Sequence, residues 1–294
     1  MLIDKWGNNW YKVALHLHTT GSDGSLTPEQ TAQLYAKDGF DAIAITDHWG
    51  YYRDRGYHDG GELGGIKIIS GVEYSVNTCG RDTIKGVMHI VGLGAKHQPI
   101  VSENPTRQEV IDAIRDAGGM AVLAHPVWSK TTIADVKELD GFSMVEIYNS
   151  ICDRDGQTGY SGYLIDVLAN EGIYLPLTAT QDAHYYDGRD GIGYVMVNAK
   201  SDLPEDILEA IVEKNFYATQ GPELYVRRQG NKIVVDCSVC ERVDFISNSS
   251  GGNKVVIEEN ITYAECEINE WEKWIRVEIR DKEGKCAWSN IFVI

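Results

Sequence analysis

The sequence predicts an α/β protein whose first part is a parallel sheet or barrel and whose last part is a small antiparallel β domain. Three observations lead there. Over residues 1–222, apolar runs alternate with amphipathic segments that have readable helix starts. Those runs are hydrophobic almost throughout rather than at every second position, as suits parallel strands covered on both faces. After about Glu223 the texture changes to short strands with no helical pattern between them, and residues 223–294 read as a β-sandwich-like domain.

In chain order, the expected strands of the first part are YKVALHLH (11–18), DAIAITDH (41–48), IKIISGVEYSV (66–76), VMHIVGLGA (87–95), GMAVLAHPV (119–127), SMVEIYNS (143–150) and IYLPLTATQDAH (173–184). A helix starts at Thr27-Pro28-Glu29-Gln30, with an N-cap, proline in the first turn and a capping-box glutamine. A second starts at Thr106-Arg107-Gln108-Glu109, expected as a second capping box, carries Ile111 and Ile114 on one face and ends at Gly118-Gly119. A third opens at Asp202-Leu203-Pro204-Glu205 and runs to about Lys214. In the last part, Ile275, Val277 and Ile279 alternate with charged neighbours, as in a half-buried antiparallel strand, and Asp281-Lys282-Glu283-Gly284 fits a hairpin turn.

The 294 residues are 43% hydrophobic, enough for a sizeable core, and no apolar run is long enough for a membrane-spanning helix. The start of the chain shows no secretory pattern, so a cytoplasmic protein with reduced thiols is expected. Cys237 and Cys240 have CxxC spacing, but Cys266 and Cys286 do not, and ordinary buried thiols are expected rather than a zinc site. The formal charge of −17 argues against a nonspecific grip on long nucleic acid. No signature of an oligomeric state is present.

Residue types able to ligate metals recur at the strand ends. His16 and His18 lie two apart and share a face, with Asp23 close behind. His48, Glu73, His89, His125, Asp182 and His184 follow at corresponding places. Six of the eight histidines fall at these ends, leaving only His58 and His97, which are expected to be exposed loop residues. In a parallel α/β barrel the strand C-termini meet at one rim, so side chains distant in sequence face one another there. Asp47 has the wrong parity to share a face with His48, and a supporting role is expected for it.

The motifs LHLHTTGSDGSLTPEQ, AITDH, GVEYS, HIVGLG, AHP and QDAH, in this order over roughly residues 10 to 220, resemble those of the PHP (polymerase and histidinol phosphatase) family. The resemblance implies a distorted seven-stranded (β/α) barrel and two or three divalent ions that hydrolyse phosphoesters through activated water. On this pattern His16, His18, Glu73 and Asp182 hold one ion. Glu73, the catalytic centrepiece, bridges to a second ion on His89 and His125, while Asp23, His48 and His184 hold a third. Imidazole and carboxylate ligands suit Zn, Mn or Fe, and Mg less well. Three such ions against three carboxylates leave a local charge of about +3, which draws in an anionic substrate.

The expected partner is a small phosphorylated molecule such as a nucleotide. The alternatives are a histidinol-phosphatase-like monoesterase, an oligonucleotide-end nuclease, and a metal-stabilised binding protein without turnover. Arg53 and Arg55, in an aromatic and glycine-rich loop, and Arg154 are candidate phosphate contacts, with Tyr51, Tyr52 or Tyr57 against a ring. Asp47 or a metal-bound water is the candidate proton donor to the leaving group.

Overall fold

The structure, a computed structural model, describes residues 1–50, 56–76, 87–188 and 191–294. Its strands fall into two sheets, one of thirteen strands and one of five, rather than a single seven-stranded barrel. In the larger sheet Asn9–Ala14, Ala42–Ala44 and Ile66–Ile69 run parallel, with Val13 opposite Ala42 and Ile43 opposite Ile68. The smaller sheet is ordered Leu177–Thr180, Phe142–Asn149, Met120–Leu123, Met88–Leu93, Gly71–Val76. Two isolated parallel bridges join the sheets, Leu17 to Ala183 and His48 to Glu73.

Two expectations about these strands need correction. The run 66–76 is not one strand. Ile66–Ile69 belongs to the larger sheet and Gly71–Val76 to the smaller, and the chain crosses between them at Ser70. Glycine is required at the crossing, because a Cβ on Gly71 would lie 2.5 Å from the carbonyl oxygen of Ile45. Secondly, Met88–Leu93 is antiparallel to both its neighbours. Continuous hydrophobicity reports burial of both faces, not strand direction. Ile90 packs into one apolar cluster with Val110, Ile111 and Ile114 of the helix Arg107–Asp116, while Val91 packs into another. The reversal explains why His89 stands near the start of its strand, whereas His16, His18, His48, His125, Asp182 and His184 lie beyond strand ends and Glu73 lies within Gly71–Val76.

The helix starts are as expected. Thr27 and Gln30 form a reciprocal capping box on Pro28–Lys37. Thr106 caps Arg107–Asp116, but the Glu109 carboxylate reaches back to the amide of Ser102 instead of closing the box. The third helix, Pro204–Val212, stops slightly short of the expected end.

From Leu224 onward the described elements are all strands with antiparallel partners. The long strand Lys232–Ser247 changes partner along its length. Residues 232–237 pair with Leu224–Gln229, and residues 242–247 pair with Trp274–Arg280. The Asp281–Gly284 turn forms as expected, closed by Gly284 N–H donating to the Asp281 carbonyl at 3.0 Å. These strands extend the larger sheet through Ala218 opposite Trp288 and Thr219 opposite Ala287. The buried Arg276 fastens them to the helix Gly162–Asn170, its guanidinium lying 2.6 and 3.0 Å from the two oxygens of Asp166. No helix among the described residues is long and apolar enough to cross a membrane.

Candidate metal centre

The segment after Asn9–Ala14 delivers His16 and His18 to the seam between the sheets. The Leu17 bridge to Ala183 brings Asp182 and His184 beside them. The His48 bridge to Glu73 closes the other side. Three backbone details hold this arrangement. Asp182 adopts a left-handed φ of 54° and its N–H donates to the His16 carbonyl at 3.1 Å. His125 has φ 24°, and its N–H donates to Glu146 Oε2 at 2.8 Å. Non-glycine residues in this region are strained, and two of them at ligand positions fit the concentration of strain at functional sites. Gly24 completes the 19–24 loop, where a Cβ would lie 2.4 Å from the His18 carbonyl oxygen.

All nine expected ligands converge. His16 Nε2 is 3.2 Å from Asp182 Oδ1 and 3.4 Å from Glu73 Oε1, while His18 Nε2 is 3.0 Å from Asp182 Oδ1 and 3.3 Å from Glu73 Oε2. His89 Nδ1 and His125 Nε2 lie 2.8 and 3.3 Å from Glu73 Oε1. Asp23 lies 3.6 Å from His48 and 3.5 Å from His184. Glu73 thus sits between the first two groups, and His48 Nδ1, 2.9 Å from Glu73 Oε2, ties in the third. Donor atoms bound at ~2.0–2.1 Å around a tetrahedral ion stand about 3.3 Å apart, and most of these separations are of that size. Glu73 Oε2, His89 Nδ1 and Asp182 Oδ1 are moreover buried with no hydrogen-bond partner. Buried polar atoms are rarely left so, and the donor set fits divalent cations.

The imidazoles are oriented from behind. His16 Nδ1 is 2.7 Å from Glu146 Oε1, which fixes the tautomer and presents Nε2 to the centre. His89 Nε2 meets Ser75 Oγ at 3.1 Å, His125 Nδ1 meets Ser129 Oγ at 3.3 Å, and His184 Nδ1 donates to the Asp182 carbonyl at 2.7 Å. Asn149 donates to Glu146 Oε2 at 2.9 Å and to Asp182 Oδ2 at 3.1 Å.

Asp47 stands outside the cavity. Its Oδ1 accepts from Thr19 N and Ser22 Oγ, both at 2.7 Å, and its Oδ2 from Thr19 Oγ at 2.5 Å and His58 Nε2 at 2.6 Å. Burial pushes its pKa upward, but the hydrogen bonds from His58, Thr19 and Ser22 prevail and hold it below the usual value. His58 is therefore not the exposed loop residue expected; it is half-buried and tied to Asp47. His97 is exposed, as expected.

Without ions the cluster is strongly coupled. Burial opposes the charge on Glu73 and Asp182, yet the surrounding imidazoles hold both well below the normal carboxylate range. Burial likewise opposes protonation of His184, but the Asp23 hydrogen bond and the charges of Asp182 and Asp23 raise it to about 9.

The ligands open onto a cavity of about 300 Å³, also lined by Trp128, Ile151, Cys152, Asp155 and Tyr185. No lysine or arginine is among the described residues lining it. Arg154 sits just outside, its Nε 3.4 Å from Asp155 and its guanidinium 5.8 Å from the Tyr185 ring centroid. Arg53, Arg55, Tyr51 and Tyr52 lie outside the described residues. Tyr57 points away from the cavity, donating to the Ala95 carbonyl at 2.9 Å.

A model of the PHP domain matches residues 14–187, more than half of the chain. The chain belongs to the PHP family. Over 64 residues it is 44% identical to a PolC-type DNA polymerase III of Oceanobacillus iheyensis, a stretch covering 21% of this chain and 4% of that protein. Over 82 residues it is 34% identical to a phosphoribosyl 1,2-cyclic phosphate 1,2-diphosphodiesterase of Eggerthella lenta, covering 28% of this chain and 30% of that one. The chain thus spans less than a third of the length of these curated relatives. A solved two-domain protein from Bacteroides vulgatus, containing a predicted PHP-like metal-dependent phosphoesterase, shares the fold. It superposes with a TM-score of 0.54 at 15% identity, covering 98% of this chain and 95% of that one.

Proposed function

We propose that this PHP-family chain is a metal-dependent hydrolase that cleaves a phosphoester of a small substrate in the cavity beside Glu73. The observation that carries this reading is the convergence of nine imidazole and carboxylate side chains with unsatisfied buried donor atoms. The cavity's lining carboxylates include Asp23, Glu73, Asp155 and Asp182 and its described lining has no lysine or arginine, so bound divalent ions would supply the positive field that draws in phosphate. When bound, two or three such ions, Zn, Mn or Fe rather than Mg, would activate water and neutralise the phosphoryl oxygens.

The chain's own residues do the rest. His16, His18, Glu73 and Asp182 form one ligand group, Glu73 with His89 and His125 a second, and Asp23, His48 and His184 a third. Glu146 and Asn149 hold His16 and Asp182 in place. Asp47, with every oxygen engaged, anchors the 19–23 loop that carries Asp23, rather than serving as a proton donor. Arg154, beside Asp155 and the Tyr185 ring, is the proposed phosphate contact. The name of the Eggerthella lenta relative and the −17 charge support a small phosphodiester or monoester over a long polymer. The unpaired Cys152, Cys237, Cys240, Cys266 and Cys286 support a reducing compartment such as the cytoplasm.

The test is hydrolysis of a panel of phosphomonoesters and phosphodiesters by protein loaded with Mn or Zn. His18→Ala should abolish turnover. Full activity in that variant would place catalysis elsewhere.

A further inference from the structure

Trp128 lines the cavity wall beside the second ligand group. Its ring centroid is 5.4 Å from that of His89 and 5.0 Å from that of His125, yet the residue is 43% exposed. Large indoles are generally well buried, and here an open surface faces the space where an ester would lie. The backbone that carries the ring is fixed. The turn that supplies His125 supplies Trp128 as well, closed by Ser129 N–H to the His125 carbonyl at 3.1 Å and Thr131 N–H to the Pro126 carbonyl at 2.9 Å. Ile151 and Cys152, from the helix Ser150–Gly156, line the same cavity and add apolar surface. A second exposed aromatic, Tyr185, borders it near His184, with ring centroids 6.2 Å apart.

We propose that the open face of Trp128 seats a flat ring carried by the ester, so that this residue selects ring-bearing phosphoesters, nucleoside or aryl, over ring-free ones. The proposal rests on the phosphoesterase reading above. Its physical basis is that an aromatic face stacks on a planar ring whatever the ring's hydrogen-bonding pattern, and costs little side-chain entropy because an indole has only two rotatable side-chain angles. A ring-free ester leaves the indole wet and gains nothing from it.

The full-length, zinc-loaded protein is assayed with adenosine 5′-monophosphate, phenyl phosphate and ribose 5-phosphate, as wild type, Trp128→Ala and Trp128→Phe. In Trp128→Ala, kcat/KM for ring-bearing esters should fall about 5- to 150-fold, the range expected for one lost stacking contact. Trp128→Phe should recover most of the loss. Ribose 5-phosphate should change by less than about twofold and the zinc content should not change. Losses shared by the adenosine and phenyl esters assign any flat ring, whereas a loss confined to one names the source. An equal loss on all three esters, or a loss of bound zinc, would show instead that Trp128 merely packs His89 and His125, and would overturn the proposal. Stopped-flow quenching of tryptophan fluorescence separates the two readings. Quenching by adenosine 5′-monophosphate that is absent with ribose 5-phosphate and lost in Trp128→Phe supports the ring seat even if no ester is hydrolysed, an outcome that would sink the phosphoesterase reading alone. Hydrolysis that is indifferent to the ring and to Trp128 would sink the ring seat alone.

Discussion

Glu146 is buried, touches the centre only through other residues, and still decides which nitrogen His16 presents. Glu146→Gln should lower metal affinity about 10- to 100-fold, read by competition with a chelating dye, with little change in the fold. Asp47 bears on the same loop from the other side. Asp47→Asn leaves the Thr19, Ser22 and His58 donors short of a charged acceptor and should cost about 1–3 kcal/mol at neutral pH in urea denaturation of the metal-free protein. Because the folded pKa lies below the unfolded one, Asp47's contribution is complete above the unfolded value of about 3.9 and is lost only as the pH falls through the lower folded value. The difference between variant and wild type should therefore persist down to about pH 4 and close below it. The nine converging side chains were legible because period-2 spacing and motif order exposed them. Glu146 was not, although an acid inside the apolar run SMVEIYNS is itself a signal, since a buried charge demands a partner. His58 gave no such sign, lying in a glycine-rich stretch without periodicity.

At the scale of elements, helix starts were legible and strand directions were not. Caps are local chemistry, and Thr27 with Gln30 forms the expected box. Direction is set by connections. The reversal of Met88–Leu93 left its sequence as apolar as the parallel strands of the same sheet because both faces are covered either way. The crossing at Ser70-Gly71 was hidden for the same reason, since the run stays hydrophobic as it leaves one sheet for the other. Gly71→Ala should therefore be disproportionately harmful for a one-methyl change. The added carbon meets backbone, which cannot rotate aside, and a loss of about 1–3 kcal/mol is expected in thermal or denaturant melts.

At the scale of the molecule, the last seventy or so residues read correctly as antiparallel strands, but their continuity with the first sheet did not show in the sequence. Edge pairing between Ala218 and Trp288 leaves no compositional trace. The Arg276–Asp166 contact is an ionic tie between these strands and the first part, and Arg276→Ala should cost about 3–5 kcal/mol because the buried Glu278, as well as Asp166, loses its cation.

Beyond the apolar core they share, the two sheets are joined by two isolated parallel bridges, and each is flanked by candidate ligands: His16, His18 and Asp182 about one, His48 and Glu73 themselves forming the other. The ions would then act as rivets. With them bound at a hundred times their dissociation constants, the fold gains about 2.7 kcal/mol or more per site. Chelation should loosen the joint before it melts either sheet, so amide exchange should quicken first at His18, Glu73 and Asp182 while Val91 and Val122 stay protected. An enzyme assembled in this way would report its own metal supply through the resistance of its seam to proteases.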